Sequence, residues 1–381
     1  RRDCCPPVRR FTRLTRNRVI VVAVRISLER AQVTSTTATS DLSEEFAAKS
    51  GVIPKIQSTL HTYPNLSPLF VLIVAMIVFT MLNDRFILAT NLSLMTQQTV
   101  IVGTLAIAQT LIILTAGIDL SIGAIMVFGQ MMMSNLVVTS EVSNVAGYGW
   151  PAALAIAAGV LIAVVAGGVN GFLIVRFELP PFIVTLGTLS IFTALTLIFF
   201  KARTIQGPEM PDAMTWMGTT FKIGPFTVMT GVLVMLAMYG IFAYILRNTA
   251  WGTHLYAVGD DPDAAELSGI STGRVLFSVY CVAGLIIGIA SWITIGRVGS
   301  ASPNVAPNIN LDSITAVVIG GTSLFGGRGT MIGSLLGALI VVVFQNGLAL
   351  AGYDQAPRVL AVGVLVIAAV ALDQWIRKVQ A

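Results

Sequence analysis

Residues 256–270 read Tyr-Ala-Val-Gly-Asp-Asp-Pro-Asp-Ala-Ala-Glu-Leu-Ser-Gly-Ile. This polar stretch is stranded between two long apolar ones. No Asp, Glu, Lys or Arg lies between Lys222 and Arg247, and none between Arg274 and Arg297. Asp261 suits an N-cap, because its carboxylate can accept from the first free backbone N–H groups. Pro262 fits the first helical position, where its missing N–H costs nothing. Asp263 and Glu266 complement the positive end of the helix dipole. Gly269 can take the left-handed conformation that stops a helix. The pattern predicts a short capped helix over 262–268, in a loop facing water between two membrane spans. An ordered device of this kind implies that something docks on the loop.

Working outward, the same charge-free spacing recurs along the chain. Charges are absent between Lys55 and Asp84, Arg85 and Asp119, Asp119 and Glu141, Glu141 and Arg176, Glu178 and Lys201, and Arg328 and Asp354. Most of these gaps match the roughly 20 residues a helix needs to cross the hydrocarbon core. Backbone groups cannot pair with water there, so helices are the expected solution. The chain is 55% hydrophobic and 11% charged, against about 25% charged in soluble domains. The mean hydropathy is +0.84. The expected fold is all-α and polytopic, with ten spans at about 65–83, 93–116, 120–139, 151–175, 181–200, 226–246, 274–296, 312–326, 330–350 and 357–376. An even count puts both termini on one side. With the N-terminus cytoplasmic, eight basic residues flank the spans inside and six outside, in the sense of the positive-inside rule.

The net charge of +5 belongs to the N-terminus. Residues 1–30 hold nine Arg and two acidic residues, leaving 14 basic and 16 acidic residues elsewhere. The basic balance therefore gives no support for nucleic-acid binding. Residues 1–60 are expected to form a poorly ordered cytoplasmic segment, ahead of a transmembrane domain at 61–381. The stretch 1–32 is Arg-rich, and the first Met is Met76. It reads as lying upstream of a start at Val33, with a basic cytoplasmic tail as the alternative. Cys4 and Cys5 are adjacent, which is not a zinc spacing.

Two segments are short or broken. The run from Asp312 to Arg328 includes Gly320, Gly321, Gly326 and Gly327, and the turn Gly117-Ile118-Asp119-Leu120 interrupts the first half. Such breaks often mark a transport path. Asp119 is an intramembrane carboxylate, which favours a functional role. Asp119-Leu120-Ser121 also suits a helix cap, which is the favoured reading, and Asp312-Ser313 has the same ambiguity. Gly329, Gly333 and Gly337 fall on one helix face, as do Gly284 and Gly288, and both ladders permit close helix packing. Residues 201–225 read as an outer loop with Trp216 at the interface, and His254 as a loop residue near the membrane surface.

Uncharged amides recur inside the spans: Gln97, Gln98, Gln109, Asn170, Gln345 and Asn346. Amides both donate and accept, so they suit a path for a neutral, hydroxyl-rich solute. The candidate path is Gln97, Gln98, Gln109, Asp119, Asn170 and Asn346, with interhelical hydrogen bonding as the alternative role for each. No nucleotide-binding Gly-x-x-x-x-Gly-Lys-[Ser/Thr] occurs. The Gly-rich run 320–329 lacks the Lys. No catalytic constellation, cofactor motif or metal-ligand spacing is legible, so the chain reads as a transporter subunit and not an enzyme.

The spacing Asp263-Ala264-Ala265-x-x-x-Gly269 resembles the Glu-Ala-Ala-x-x-x-Gly loop of bacterial ABC importer permeases, with Asp in place of Glu. Residues 109–127, 179–187 and 313–329 are similar to the signature stretches of ribose-type sugar permeases. Asp260-Asp261-Pro262 and the C-terminal Asp373-Gln374-Trp375-Ile376-Arg377-Lys378 resemble its fructose-import branch. The resemblance implies an inner-membrane permease for a monosaccharide, fructose or ribose-like. Asp261, Asp263, Ala264, Ala265, Glu266 and Gly269 would form the loop that couples it to a separate cytoplasmic ABC ATPase. A periplasmic sugar-binding protein, a second permease copy and membrane lipid would complete the assembly. Another ABC solute, or an ion-coupled symporter built on Asp119, is the rival reading.

Overall fold

The computed structural model describes residues 65–139, 147–201, 203–206 and 209–377. All of them belong to one compact unit, Tyr63–Ala381. The expectations for residues 1–60 lie outside the described residues.

The architecture is helical. In chain order the helices of six or more residues are α1 (Leu66–Leu82), α2 (Ala89–Leu114), α3 (Ile122–Val137), α4 (Ala152–Phe177), α5 (Pro181–Phe200), α6 (Thr230–Asn248), α7 (Ala250–Asp260), α8 (Pro262–Leu267), α9 (Thr272–Val298), α10 (Ile309–Ile319), α11 (Met331–Leu350) and α12 (Gln355–Arg377). Six of them, α2, α4, α5, α6, α9 and α11, are long and apolar enough to cross a membrane. Four shorter apolar helices, Leu66–Leu82, Ile122–Val137, Ile309–Ile319 and Gln355–Ala368, occupy the other positions expected from the sequence.

Helix α2 is the centre of the bundle. Every residue from Thr99 to Leu114 is buried, as befits a helix that is apolar all round. Helices α9 and α11 pack on it, α4 packs on α9, and α10 and α1 pack on α11. Helices α4 and α5 turn large side chains outward, among them Leu161, Phe172, Ile183, Ile198 and Phe199. Outward apolar faces on spanning helices suit contact with lipid, whose tails are as apolar as Leu. Pro180 and Pro181 set the start of α5, and Lys201 ends it in the left-handed conformation with φ 50°.

Of the Gly329, Gly333 and Gly337 ladder, Gly333 and Gly337 do what the spacing predicts, whereas Gly329 lies ahead of α11 and packs on Thr322. A Cβ built on Gly337 would lie 1.8 Å from the Ala316 carbonyl oxygen, and one on Gly333 would lie 2.1 Å from that of Gly320. Backbone-to-backbone packing therefore holds α11 against α10. Gly284 and Gly288 bring α9 onto Ala163 and Val160 of α4 in the same way.

Four local readings differ from the structure. The polar stretch after α6 holds a further helix, α7, so His254 is helical. Residues 226–229 are a strand, paired with Thr220–Ile223 in a hairpin before α6. The expected loop 201–225 also carries a one-turn helix and Trp216, which stacks 5.9 Å from Trp292. Helix α10 begins at Ile309, so Asp312 sits inside its first turn and does not cap it. The helix ends at Ile319, because Gly321, Gly326 and Gly327 take positive φ and turn the chain.

Candidate functional site

Helix α8 is secured at both ends. Asp261 Oδ1 accepts from the N–H groups of Asp263 and Ala264, each at 3.0 Å. At the other end the Ile270 N–H bonds to the Ala265 carbonyl at 3.0 Å and the Gly269 N–H to that of Glu266 at 2.9 Å. These paired bonds form a Schellman motif. Gly269 has the required φ of +83°, and nothing lies within 4 Å of a Cβ built on it. Thr272 Oγ1 donates to the Glu266 carboxylate, tying α8 to the first turn of α9. A six-residue helix has little stability alone, so these caps and ties hold it in place.

Seating decides which residues project. Asp261, Asp263, Ala264 and Glu266 are exposed, and Leu267 is 91% exposed. Ala265 is 4% exposed and joins the apolar core. Ala265, one of the expected coupling-loop residues, therefore faces its own bundle and not a partner. Its small side chain lets α8 sit close to its own bundle, and Leu267 is the apolar group presented outward.

Beneath α8 three backbone segments converge. A Cβ on Gly259, near the end of α7, would lie 1.7 Å from the Leu114 carbonyl oxygen and 2.8 Å from the Gly327 nitrogen. The Gly327 N–H donates to the same Leu114 carbonyl at 3.0 Å. Gly326 in turn packs on the Gly259 carbonyl and on Ala116. Ala116 holds φ 58°, a conformation that costs a non-glycine residue about 1–2 kcal/mol. Tyr256 Oη donates to the Gly329 carbonyl at 2.8 Å. Burial raises the Tyr256 phenol above its ordinary pKa, which keeps it a donor. The end of α2, the base of α8 and the Gly-rich turn 320–329 thus meet without side chains between them. The amides of Ser323, Gly326 and Gly327 are spent on internal carbonyls, in keeping with a turn that does not cradle phosphate.

The proposed path residues are scattered, except that Asp119 and Asn170 meet through Ser121. Gln97 donates to the Thr227 carbonyl at 3.5 Å, and Arg297 Nε donates to the Gln97 carbonyl at 2.7 Å. Gln98 is half-buried. Asn346 accepts from Asn91 at 3.0 Å, an interhelical bond from α2 to α11. Gln109 is fully buried, and among the described residues nothing partners its amide. Asp119 is 2% exposed, and its Oδ1 accepts from the backbone N–H and the hydroxyl of Ser121 at 2.7 and 2.6 Å. Asn170 donates to Ser121 Oγ at 2.9 Å. Asp119 therefore braces the turn that leads into α3.

Open space lies elsewhere. The irregular segment from Pro303 to Asn308 leads into α10, and a cleft flanks it on each side. One, of about 220 Å³, has Thr193, Thr196, Asn304 and Asn310 in its wall. There Asn310 Oδ1 accepts from the Gly123 N–H at 2.6 Å, so the two shortened helices α3 and α10 meet at their N-termini. The other, of about 310 Å³, has Asn308, Asp312, Gln345, Gln355 and Arg358 in its wall. Of these, sequence reading had marked Asp312 and Gln345 and missed the rest. Asn308, beside Pro307 in a non-helical run, carries no periodic signal.

A family model described as branched-chain amino acid transport system / permease component matches residues 91–370. The chain is 45% identical over 334 residues to the fructose import permease protein FrcC of Rhizobium meliloti, covering 87% of this chain and 91% of that one. It is 35% identical to the ribose import permease protein RbsC of Bacillus subtilis (strain 168), over 81% of this chain and 92% of the other. It is 31% identical to the D-allose transport system permease protein AlsC of Escherichia coli (strain K12), over 81% and 91%. No solved structure matches. A buried central helix, outward apolar faces, a capped polar helix between spans and similarity along most of the chain agree with one another. The chain belongs to this family of ABC importer permeases, on its ribose-type side, as a multi-pass inner-membrane permease subunit and not an enzyme.

Proposed function

We propose that the chain imports a monosaccharide, fructose or a ribose-like sugar, driven by ATP hydrolysis in a separate cytoplasmic ATPase that docks on α8. A periplasmic binding protein delivers the sugar. Two permease copies surround the path in a shell of lipid. Residues 61–381 form the transmembrane domain, with ten membrane segments and both termini cytoplasmic. The relatives' sugar names favour a sugar over an amino acid. So does the scarcity of charge in the spans, since a zwitterion calls for charged partners.

The observation that carries the docking role is the outward Leu267 on a helix fastened at both ends. An apolar side chain 91% exposed on a polar loop gains by burial in a partner, by roughly 1.5–3 kcal/mol when complete. The convergence at Gly259, Leu114 and Gly327 gives a displacement of α8 a direct route into α2 and the turn before α11. Leu267→Asp tests the reading, because it removes the contact without touching the core. Its ATPase association, by co-purification, and its uptake of labelled fructose or ribose should both fall about tenfold or more. Wild-type association together with wild-type uptake would remove the docking role.

A further inference from the structure

We propose that the cleft between α10, α11 and the start of α12 is a sugar-contacting site on the permease itself, on the side that receives substrate from the binding protein. The inference rests on the sugar-import reading above. Asp312 on α10 accepts from Gln345 Nε2 on α11 at 3.1 Å. Arg358 and Gln355 on α12 and Asn308 ahead of α10 complete the polar wall, and Leu311, Val359 and Val362 supply apolar surface. The set combines a carboxylate, amides and a guanidinium with aliphatic faces. That is the chemistry a pyranose or furanose needs: donors and acceptors for its hydroxyls and apolar contact for its C–H faces.

Depth argues against lipid as the occupant. Gln345 lies five residues from Leu350, the end of α11, which is about 8 Å at 1.5 Å per residue. The Asp312 end of α10 is thus inside the membrane layer. A half-buried carboxylate there is costly against hydrocarbon. The irregular backbone from Pro303 to Asn308 is tolerated at that depth only in protein or beside water. A volume of about 310 Å³ lies within the roughly 300–1,000 Å³ range of small-molecule sites. The other end of α10 packs through Gly320 on α11 and runs into the turn seated under α8. One short helix therefore touches both the cleft and the coupling junction, so a movement of α8 can change the wall that holds the sugar.

The test uses the permease reconstituted in proteoliposomes with its ATPase and binding protein, supplied with labelled D-fructose and D-ribose. Asp312→Asn and Gln345→Leu each disturb a hydrogen bond to a charged group, and uptake should fall about tenfold or more. Hydrolysis stimulated by the binding protein should fall by less than about threefold, so fewer sugars move per ATP. The fructose-to-ribose uptake ratio should also shift, which a purely structural role would not produce. Leu360→Ala, on α12 but outside the cleft, should match wild type. In a chain with Cys4, Cys5 and Cys281 replaced by Ser, Val359→Cys should react with a membrane-impermeant maleimide. Undiminished uptake, uptake and hydrolysis falling in parallel at a fixed sugar ratio, an unreactive Val359→Cys, or its cross-linking to the same position of a second copy would each overturn the inference. If wild type moves neither sugar while its ATPase is active, the sugar-import reading falls and takes the inference with it.

Discussion

Gly269→Ala isolates the contribution of the α8 C-cap to ATPase docking. Gly269 holds φ +83° in open space, so the new methyl meets no neighbour and the cost is backbone strain alone. For an L-residue in the left-handed region that cost is about 1–2 kcal/mol. The strained end can relax by unwinding the Schellman turn, which releases the Ile270–Ala265 and Gly269–Glu266 bonds. Docking on a native α8 must then restore them, so the same 1–2 kcal/mol appears as a roughly 5–30-fold weaker affinity for the ATPase. Gly224 supplies a matched control. It sits in the hairpin turn between Ile223 and Phe226 at φ +58°, also with nothing within 4 Å. Gly224→Ala incurs comparable strain at a place the docking reading does not involve. The assay is titration of the purified ATPase onto permease in lipid nanodiscs, with the thermal midpoint of each variant recorded alongside. Weaker binding for Gly269→Ala and wild-type binding for Gly224→Ala is the expected result. Equal binding for both variants and wild type would refute the argument that docking requires the capped helix.

Substitutions at two other positions address the bundle. Gly337→Leu must push α11 away from the Ala316 carbonyl, 1.8 Å from where the new Cβ would stand. A loss of at least about 3 kcal/mol is expected, from overpacking at its severe end, read as a large fall in thermal midpoint or in yield of folded protein. A variant of wild-type stability would mean that α10 and α11 do not pack so closely. Asp119→Asn keeps an acceptor for the Ser121 N–H and should retain uptake within about threefold, whereas Asp119→Ala leaves buried donors unpaired at about 1–3 kcal/mol. Complete loss of uptake in a stably folded Asp119→Asn would transfer the residue from bracing the turn to transport itself.

The sequence reading was strongest where the physics is local. Asp261, Pro262 and Gly269 specify their capped helix through contacts within a few residues, so the reading of α8 and the structure coincide. Charge-free stretches mark membrane helices because the bilayer penalises charge wherever the rest of the chain lies. The Gly333–Gly337 spacing defines a close-packing face on any helix that carries it, though not which helix it meets.

Other features depended on distant neighbours. The side of α8 on which Ala265 lies could not be read, because six residues are too few to define a face until the bundle supplies one. Helix α7 escaped notice because Thr249-Ala250-Trp251-Gly252 looks like loop. Its Thr249 cap on Gly252 is local, but the Trp251 bond to Ser278 and the burial of Gly259 against Leu114 come from folding. The amides inside the spans were noted by type. Packing then assigned Asn346 to a bond with Asn91, put Gln109 in the core, and set Gln345 beside Asp312 at an open cleft. Whether a polar side chain in a membrane faces a neighbour or a path depends on which helices meet around it. Local hydrogen bonding and the solvent preference of each segment are written along the chain, whereas the meeting of α10, α11 and α12 exists only once the helices have packed.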